Sequence, residues 1–119
     1  MIYRTLLKSK IHRAVVTGSD LNYEGSIAID TALCQAANLA EFEKVDIYNI
    51  HTGARFSTYV IPGGPGEISL NGAAARLVQP GDRIIIASYV QVEEKDIMNF
   101  KPTVVLVNEH NKAFTVQPE

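Results

Sequence analysis

The sequence predicts a small, mainly β protein, either a closed barrel or a sandwich, with two or three short helices. Three observations carry this. Runs rich in Val, Ile, Tyr, Phe and Thr recur along the chain, each a few residues long and bounded by turn residues, as half-buried strands are. Helical segments are few and short, and many strands with few helices imply a barrel or sandwich. The 119 residues make one domain, 1–119, able to bury roughly two thirds of the unfolded surface around a single core.

In chain order the strands are expected at Ile2 to Leu7, Arg13 to Thr17, Ile27 to Ile29, Val45 to Ile50, Arg55 to Ile61, Glu67 to Leu70, Arg83 to Val90, Thr103 to Val107 and Ala113 to Val116. His51-Thr52-Gly53 reads as a hairpin connection and Pro62-Gly63-Gly64-Pro65-Gly66 as a loop. Asp30 is placed to cap a short helix from Thr31 to about Asn38, because its carboxylate can accept from a free N–H of the first turn. A second helix is expected from Gly72 to about Val78, stopped by Pro80-Gly81-Asp82. No repeat, low-complexity tract or linker divides the chain.

Eleven basic and thirteen acidic residues leave a net charge of -2, which offers little attraction to nucleic acid or an anionic membrane surface. A small-molecule site is expected instead. The single Cys34 cannot form an internal disulfide, which points to a reduced compartment, the cytoplasm. Met1 to Lys8 has scattered charges and no apolar h-region, so no signal peptide is expected. No apolar run approaches the roughly 20 residues of a membrane helix. His12, His51 and His110 lack the paired spacing that defines a metal site, so no metal is expected. Pyridoxal phosphate is not expected either, since Gly63-Gly64-Pro65-Gly66 is a proline-containing turn that opens no evident helix.

The chemistry centres on Tyr23-Glu24-Gly25-Ser26. Glycine before serine leaves the carbonyl carbon open to approach and reaches φ/ψ values closed to other residues, so the hydroxyl could attack it in an N-to-O acyl shift. Gly-Ser is equally an ordinary turn, and Gly18-Ser19 repeats the pair with no chemistry implied.

Four segments in order set the context: Lys10-Ile11-His12-Arg13, Leu21 through Asp30, Gly53-Ala54-Arg55-Phe56-Ser57-Thr58-Tyr59, and Ser69-Leu70-Asn71-Gly72-Ala73-Ala74-Ala75. Together they closely resemble the aspartate 1-decarboxylase family, pyruvoyl enzymes that make β-alanine for pantothenate synthesis. The resemblance runs from Met1 to about Tyr89 and is weaker beyond. The turn Thr52-Gly53 departs from the Asn-Gly expected in the family, which touches only loop geometry.

The resemblance implies a double-psi β-barrel, a homotetramer with active sites between subunits, and self-cleavage between Gly25 and Ser26 into chains 1-25 and 26-119. An accessory maturation protein is a candidate partner. The cofactor implied is a covalent pyruvoyl group derived from Ser26, formed through an ester, β-elimination to dehydroalanine and hydrolysis with release of ammonia. Thr58 would stabilise the oxyanion of the acyl shift, with Asn71 as a second candidate for holding the geometry. The substrate is L-aspartate, whose amine would join the pyruvoyl carbonyl as a Schiff base so that loss of carbon dioxide leaves its electrons in a conjugated sink.

Arg55 is expected to take a substrate carboxylate bidentately and Lys10 to be a second cation, although each could be an exposed strand-edge charge. Tyr59 resembles the family's proton donor, and a phenol is ordinarily protonated at neutral pH as a general acid requires. Gly72, Ala73 and Ala74 would contact substrate at a helix start. His12, Tyr23 and Glu24 are supporting candidates. Strand alternation places Thr58 and Tyr59 on opposite faces, so a bend, a bulge or a subunit boundary is expected where both serve one site. Two rival readings stand beside this one: an amidohydrolase that exposes and keeps Ser26 as an N-terminal nucleophile, and a non-enzymatic β-barrel binding module.

Overall fold

The computed structural model describes residues 1–118. Nine strands are found among them: β1 Tyr3–Val15, β2 Gly18–Asp20, β3 Ser26–Asp30, β4 Lys44–Asn49, β5 Arg55–Gly63, β6 Ile68–Asn71, β7 Arg83–Glu93, β8 Thr103–Val107 and β9 Ala113–Pro118. They pair in the order β2-β6-β3-β5-β4-β7-β1-β8-β9. Three of the pairings are parallel, β1 with β8, β2 with β6 and β3 with β5, so the chain crosses over rather than meandering. The fold is a small, mainly β barrel.

Val16 and Thr17 tie β6 to the start of β7, two strands that are not neighbours in this order. The Val16 N–H donates to the Asp82 carbonyl at 2.9 Å beside β7, while the Thr17 N–H donates to the Ile68 carbonyl at 2.8 Å in β6. Asn111, 1% exposed, adds a polar tie by donating to the Val15 and Gly66 carbonyls and accepting from the Val15 N–H. A buried amide of this kind persists because all its groups are satisfied. Ile11, Ile27, Ile29, Ile47, Ile68, Leu70, Ile84, Ile86 and Val105 fill the interior. Their alternation along β4 and β7 is the period-two pattern that a one-sided strand requires.

The strands expected at Ile2 to Leu7 and Arg13 to Thr17 are one long strand, β1, which ends at Val15. The residues between them, Lys8 to His12, continue the strand without interruption. The register against β7 shifts between Leu7 and Ser9 and between Ile11 and Ala14, and such bulges re-aim side chains without ending the strand. At the first shift Lys8 reaches Glu43, its Nζ donating at 2.8 and 3.0 Å. β5 continues through Pro62 and Gly63, which had been expected in the loop. The tripeptide β2 carries no apolar signal and exists only through its parallel pairing with β6.

Helix α1, Thr31–Ala37, begins where Asp30 caps it, the Ala32 N–H donating to the carboxylate at 2.8 Å, and it ends at Asn38 in the left-handed conformation. Gly72–Leu77 is a 3-10 helix of six residues, without a side-chain cap, rather than a longer helix with an extended dipole. A further 3-10 helix, Glu94–Asn99, makes the third short helix, at a place where none was expected.

Candidate active site

β3 and β6 run antiparallel with Ser26 opposite Asn71, so the residue after the proposed scissile bond begins a buried strand. Ser26 is only 1% exposed, while Gly25, Glu24 and Tyr23 before it are exposed. The Ser26 hydroxyl donates to the Glu24 carbonyl at 3.2 Å and accepts from the Asn71 side-chain amide at 3.0 Å. Glu24 therefore meets the serine through its backbone, not through its carboxylate.

Gly72 follows Asn71 at φ 67°, a conformation that glycine takes without a steric penalty. A Cβ at position 72 would lie 2.7 Å from the Gly25 Cα and 3.1 Å from the Tyr23 carbonyl oxygen. The glycine at 72 thus lets the 23–25 segment lie against β6. No heavy atom beyond its chain neighbours stands within 4 Å of where a Gly25 Cβ would be, so the segment packs on one side and is open on the other.

A cleft of about 380 Å³ lies on this open side, lined by Gly25, Phe56, Ser57, Thr58, Tyr59, Ala73, Ala74 and Leu77. Four consecutive β5 residues face one cleft despite strand alternation. The β4–β5 ladder is in register from Lys44–Tyr59 to Tyr48–Arg55 with no bulge, and the partner on the other side, β3, joins only from Val60. The first half of β5 therefore has one unpaired edge, and a cleft along an edge is reached from both faces of the strand. This is the physical reason that Thr58 and Tyr59 share it.

The cleft lining holds no charged residue. Arg55 stands outside it, in a neighbouring recess with Asp46, Tyr48, Phe56 and Ser57, its guanidinium 4.0 Å above the Tyr48 ring. The Tyr48 hydroxyl pairs with that of Tyr89 at 2.7 Å, and burial together with this bond pushes the Tyr48 phenol up to about 12. Lys10 lies in β1 between β7 and β8, opposite Ala87 and Val104, and does not line the cleft.

His12, two residues on, is half-buried with its Nδ1 enclosed and without a partner. Burial, reinforced by Lys10 and Arg13, holds the imidazole below its ordinary pKa and favours the neutral ring. Cys34 is half-buried and its thiol is raised to about 11 by burial and by Asp30 and Glu43, which makes it a poor nucleophile. Among the described residues no group of three or more His, Cys, Asp or Glu side chains could hold a metal, and no helix is long and apolar enough to cross a membrane.

The structure thus brings together Gly25, Ser26, Thr58, Tyr59, Asn71, Gly72, Ala73 and Ala74, and leaves Lys10, His12 and Arg55 apart from them. Phe56, Ser57 and Leu77 join the lining without having been anticipated. Apolar or small hydroxyl residues in a strand and a short helix carry no chemical signal, and only the unpaired β5 edge makes them visible.

Fold and cleft together define a small β-barrel with a strand-edge cleft of hydroxyl groups beside a buried serine. The family model described as aspartate decarboxylase matches residues 2–114, and the chain belongs to that family. It is similar to the aspartate 1-decarboxylase of Hydrogenobaculum sp. (strain Y04AAS1), 61% identical over 96% of this chain and 91% of that protein. It is also similar to those of Sulfurihydrogenibium sp. (strain YO3AOP1), 54% identical over 99% and 90%, and Legionella pneumophila (strain Lens), 52% identical over 100% and 91%. The protein is accordingly an enzyme of the decarboxylase class.

Proposed function

We propose that the protein converts L-aspartate to β-alanine and carbon dioxide, using a pyruvoyl group that it makes from Ser26 by cleaving itself after Gly25. The observation that carries this reading is the cleft in which Gly25, Thr58, Tyr59, Ala73 and Ala74 meet beside the Asn71-bound Ser26 hydroxyl. The residues fit such a group. Ser26 sits at the start of a fully buried strand, Gly25 is open on the cleft side, and glycine at 72 leaves the space that a Cβ would fill.

In maturation the Ser26 Oγ attacks the Gly25 carbonyl carbon, the Gly25–Ser26 amide bond breaks and an ester forms, with Asn71 orienting the hydroxyl. Thr58 donates to the developing oxyanion, a contribution typically worth about 10² to 10³ in rate. The mature group would supply the electrophilic carbonyl and the electron sink that decarboxylation of an amino acid needs. Ala73 and Ala74 leave room for the substrate, and Tyr59 delivers the proton to the carbon that has lost its carboxylate. The uncharged lining leaves aspartate's carboxylates without a cation. Arg55 and Lys10 supply it from a neighbouring subunit of a homotetramer, with His12 and Tyr23 as supporting residues.

The reading places the enzyme in the cytoplasm as the source of β-alanine for pantothenate. Maturation is either autonomous or assisted by an accessory protein.

Intact mass under denaturing conditions tests it first. Two fragments split after Gly25, the larger lighter by one ammonia than its serine form, are expected, together with aspartate-dependent release of β-alanine. Ser26→Ala should abolish cleavage and turnover together. Aspartate decarboxylation by that variant, or a mature fragment that retains serine, would sink the proposal.

A further inference from the structure

Ala40 to Glu43 form a turn closed by the Glu43 N–H donating to the Ala40 carbonyl at 3.1 Å. Its third residue, Phe42, has a φ of 70°. That position of a type II turn favours glycine or asparagine, because a Cβ there crowds the backbone, and a bulky side chain at positive φ is a marked outlier.

The surroundings hold Phe42 in this conformation. Its N–H donates to the Val60 carbonyl at 2.7 Å, and the Val60 N–H donates to the Glu43 carbonyl at 3.0 Å. The Glu43 carboxylate accepts from Lys8, from the Ala40 N–H at 3.0 Å and from the Ser88 hydroxyl. Burial opposes ionisation of Glu43, but the Ala40, Lys8 and Ser88 donors outweigh it and keep the carboxylate charged. Residues of β1, β7 and the turn thus clamp Phe42 to the backbone immediately after Tyr59.

Burial within the subunit does not explain why a phenylalanine occupies this position, because Phe42 is 68% exposed there. Its aromatic contact is with Tyr59, with ring centroids 6.2 Å apart and planes tilted by 45°, within the range of attractive aromatic pairs. A strained residue whose own burial gains little, clamped against a cleft side chain, points to function rather than to stability.

We propose that Phe42 is a positioning residue that holds the Tyr59 phenol in the orientation from which it delivers its proton. The proposal rests on the assignment of Tyr59 as proton donor. Phe42 touches no reacting atom and acts through the Tyr59 ring alone.

The test is made on the processed enzyme. Phe42→Gly relieves the turn, so Tm should hold or rise, while kcat for aspartate should fall about tenfold through misplacement of the donor and KM should stay nearly constant. Tyr59 ring flips, followed by NMR with ¹³C-labelled tyrosine, should quicken in Phe42→Gly and return to the wild-type rate in Phe42→Tyr, which keeps the ring. In a Tyr59→Phe background, itself slow, Phe42→Gly should change kcat no further. Unchanged kcat and ring flips in Phe42→Gly would overturn the proposal. So would a fall in Tm alongside kcat, or an equal fall in kcat in both backgrounds. Wild-type turnover in Tyr59→Phe alone would remove Tyr59 from the chemistry, and this proposal with it.

Discussion

Arg55 shows how far a residue type can be read before its surroundings are known. Its place in the strand motif marks it as a cation for carboxylate binding, yet within the described chain it lies over Tyr48 instead of in the cleft. Stacking on a ring that Tyr89 fixes by a hydroxyl bond would leave the guanidinium edge pre-organised for a ligand. Arg55→Ala should therefore raise KM for aspartate roughly ten- to hundredfold, the worth of a charge-assisted pair, with a smaller change in kcat. Steady-state kinetics check this, and an unchanged kcat/KM would remove Arg55 from the site. Ser26 was legible in the sequence as a nucleophile after glycine, and Asn71 through the family resemblance; Gly72, expected to touch substrate, is instead buried against Gly25 and does not line the cleft. Phe42 was not legible, because Ala40-Glu41-Phe42-Glu43 contains no turn-forming residue, and tertiary hydrogen bonds impose the turn.

At the scale of elements, Asp30 joins strand to helix and loop. One carboxylate oxygen accepts the Ala32 N–H at the start of α1, and the other accepts the Gly66 N–H at 2.7 Å, with Lys112 3.7 Å away. Its capping role is legible from position; its hold on Gly66, 36 residues later, is not. Asp30→Ala removes the cap and leaves a second N–H without its partner, so a loss of about 2 to 3 kcal/mol is expected in urea unfolding. A loss no larger than that of an exposed substitution would show that water replaces both contacts. β5 carries the same lesson. Its alternation is legible, but its change of partner at Val60, which opens the edge along which the cleft forms, depends on β3 arriving from elsewhere in the chain.

For the whole molecule, four ionisable groups predict a destabilised acid state. Burial opposes ionisation of Asp30 and Glu43, but their hydrogen-bond donors outweigh it and lower both pKa values; the Asn49 amide leads the lowering at Asp82. A depressed carboxylate contributes stability that is present above its unfolded pKa and lost as pH falls through the folded one. The His12 imidazole, depressed chiefly by burial, acts in the same direction, because the unfolded ring takes up its proton near 6.5 while the folded ring resists. Tm should thus be flat near neutrality, begin to fall below about 6.5, and fall more steeply below about 4 as the carboxylates protonate. In His12→Asn the first of these declines should vanish. A Tm that rises on acidification would contradict the assignments.

The family, the mainly β class, most strand positions, the Asp30 cap and the Gly25-Ser26 pair could be read from residue order alone, because these depend on local periodicity, backbone freedom and short ordered motifs. Folding in three dimensions was needed to show that β1 is continuous, that Val16 and Thr17 tie β6 to β7, that Thr58 and Tyr59 share a cleft, and that Phe42 is pressed against Tyr59. Each of these depends on backbone hydrogen bonds or side-chain packing between segments tens of residues apart, or on a partner strand that ends early, and neither is encoded in the neighbouring residues.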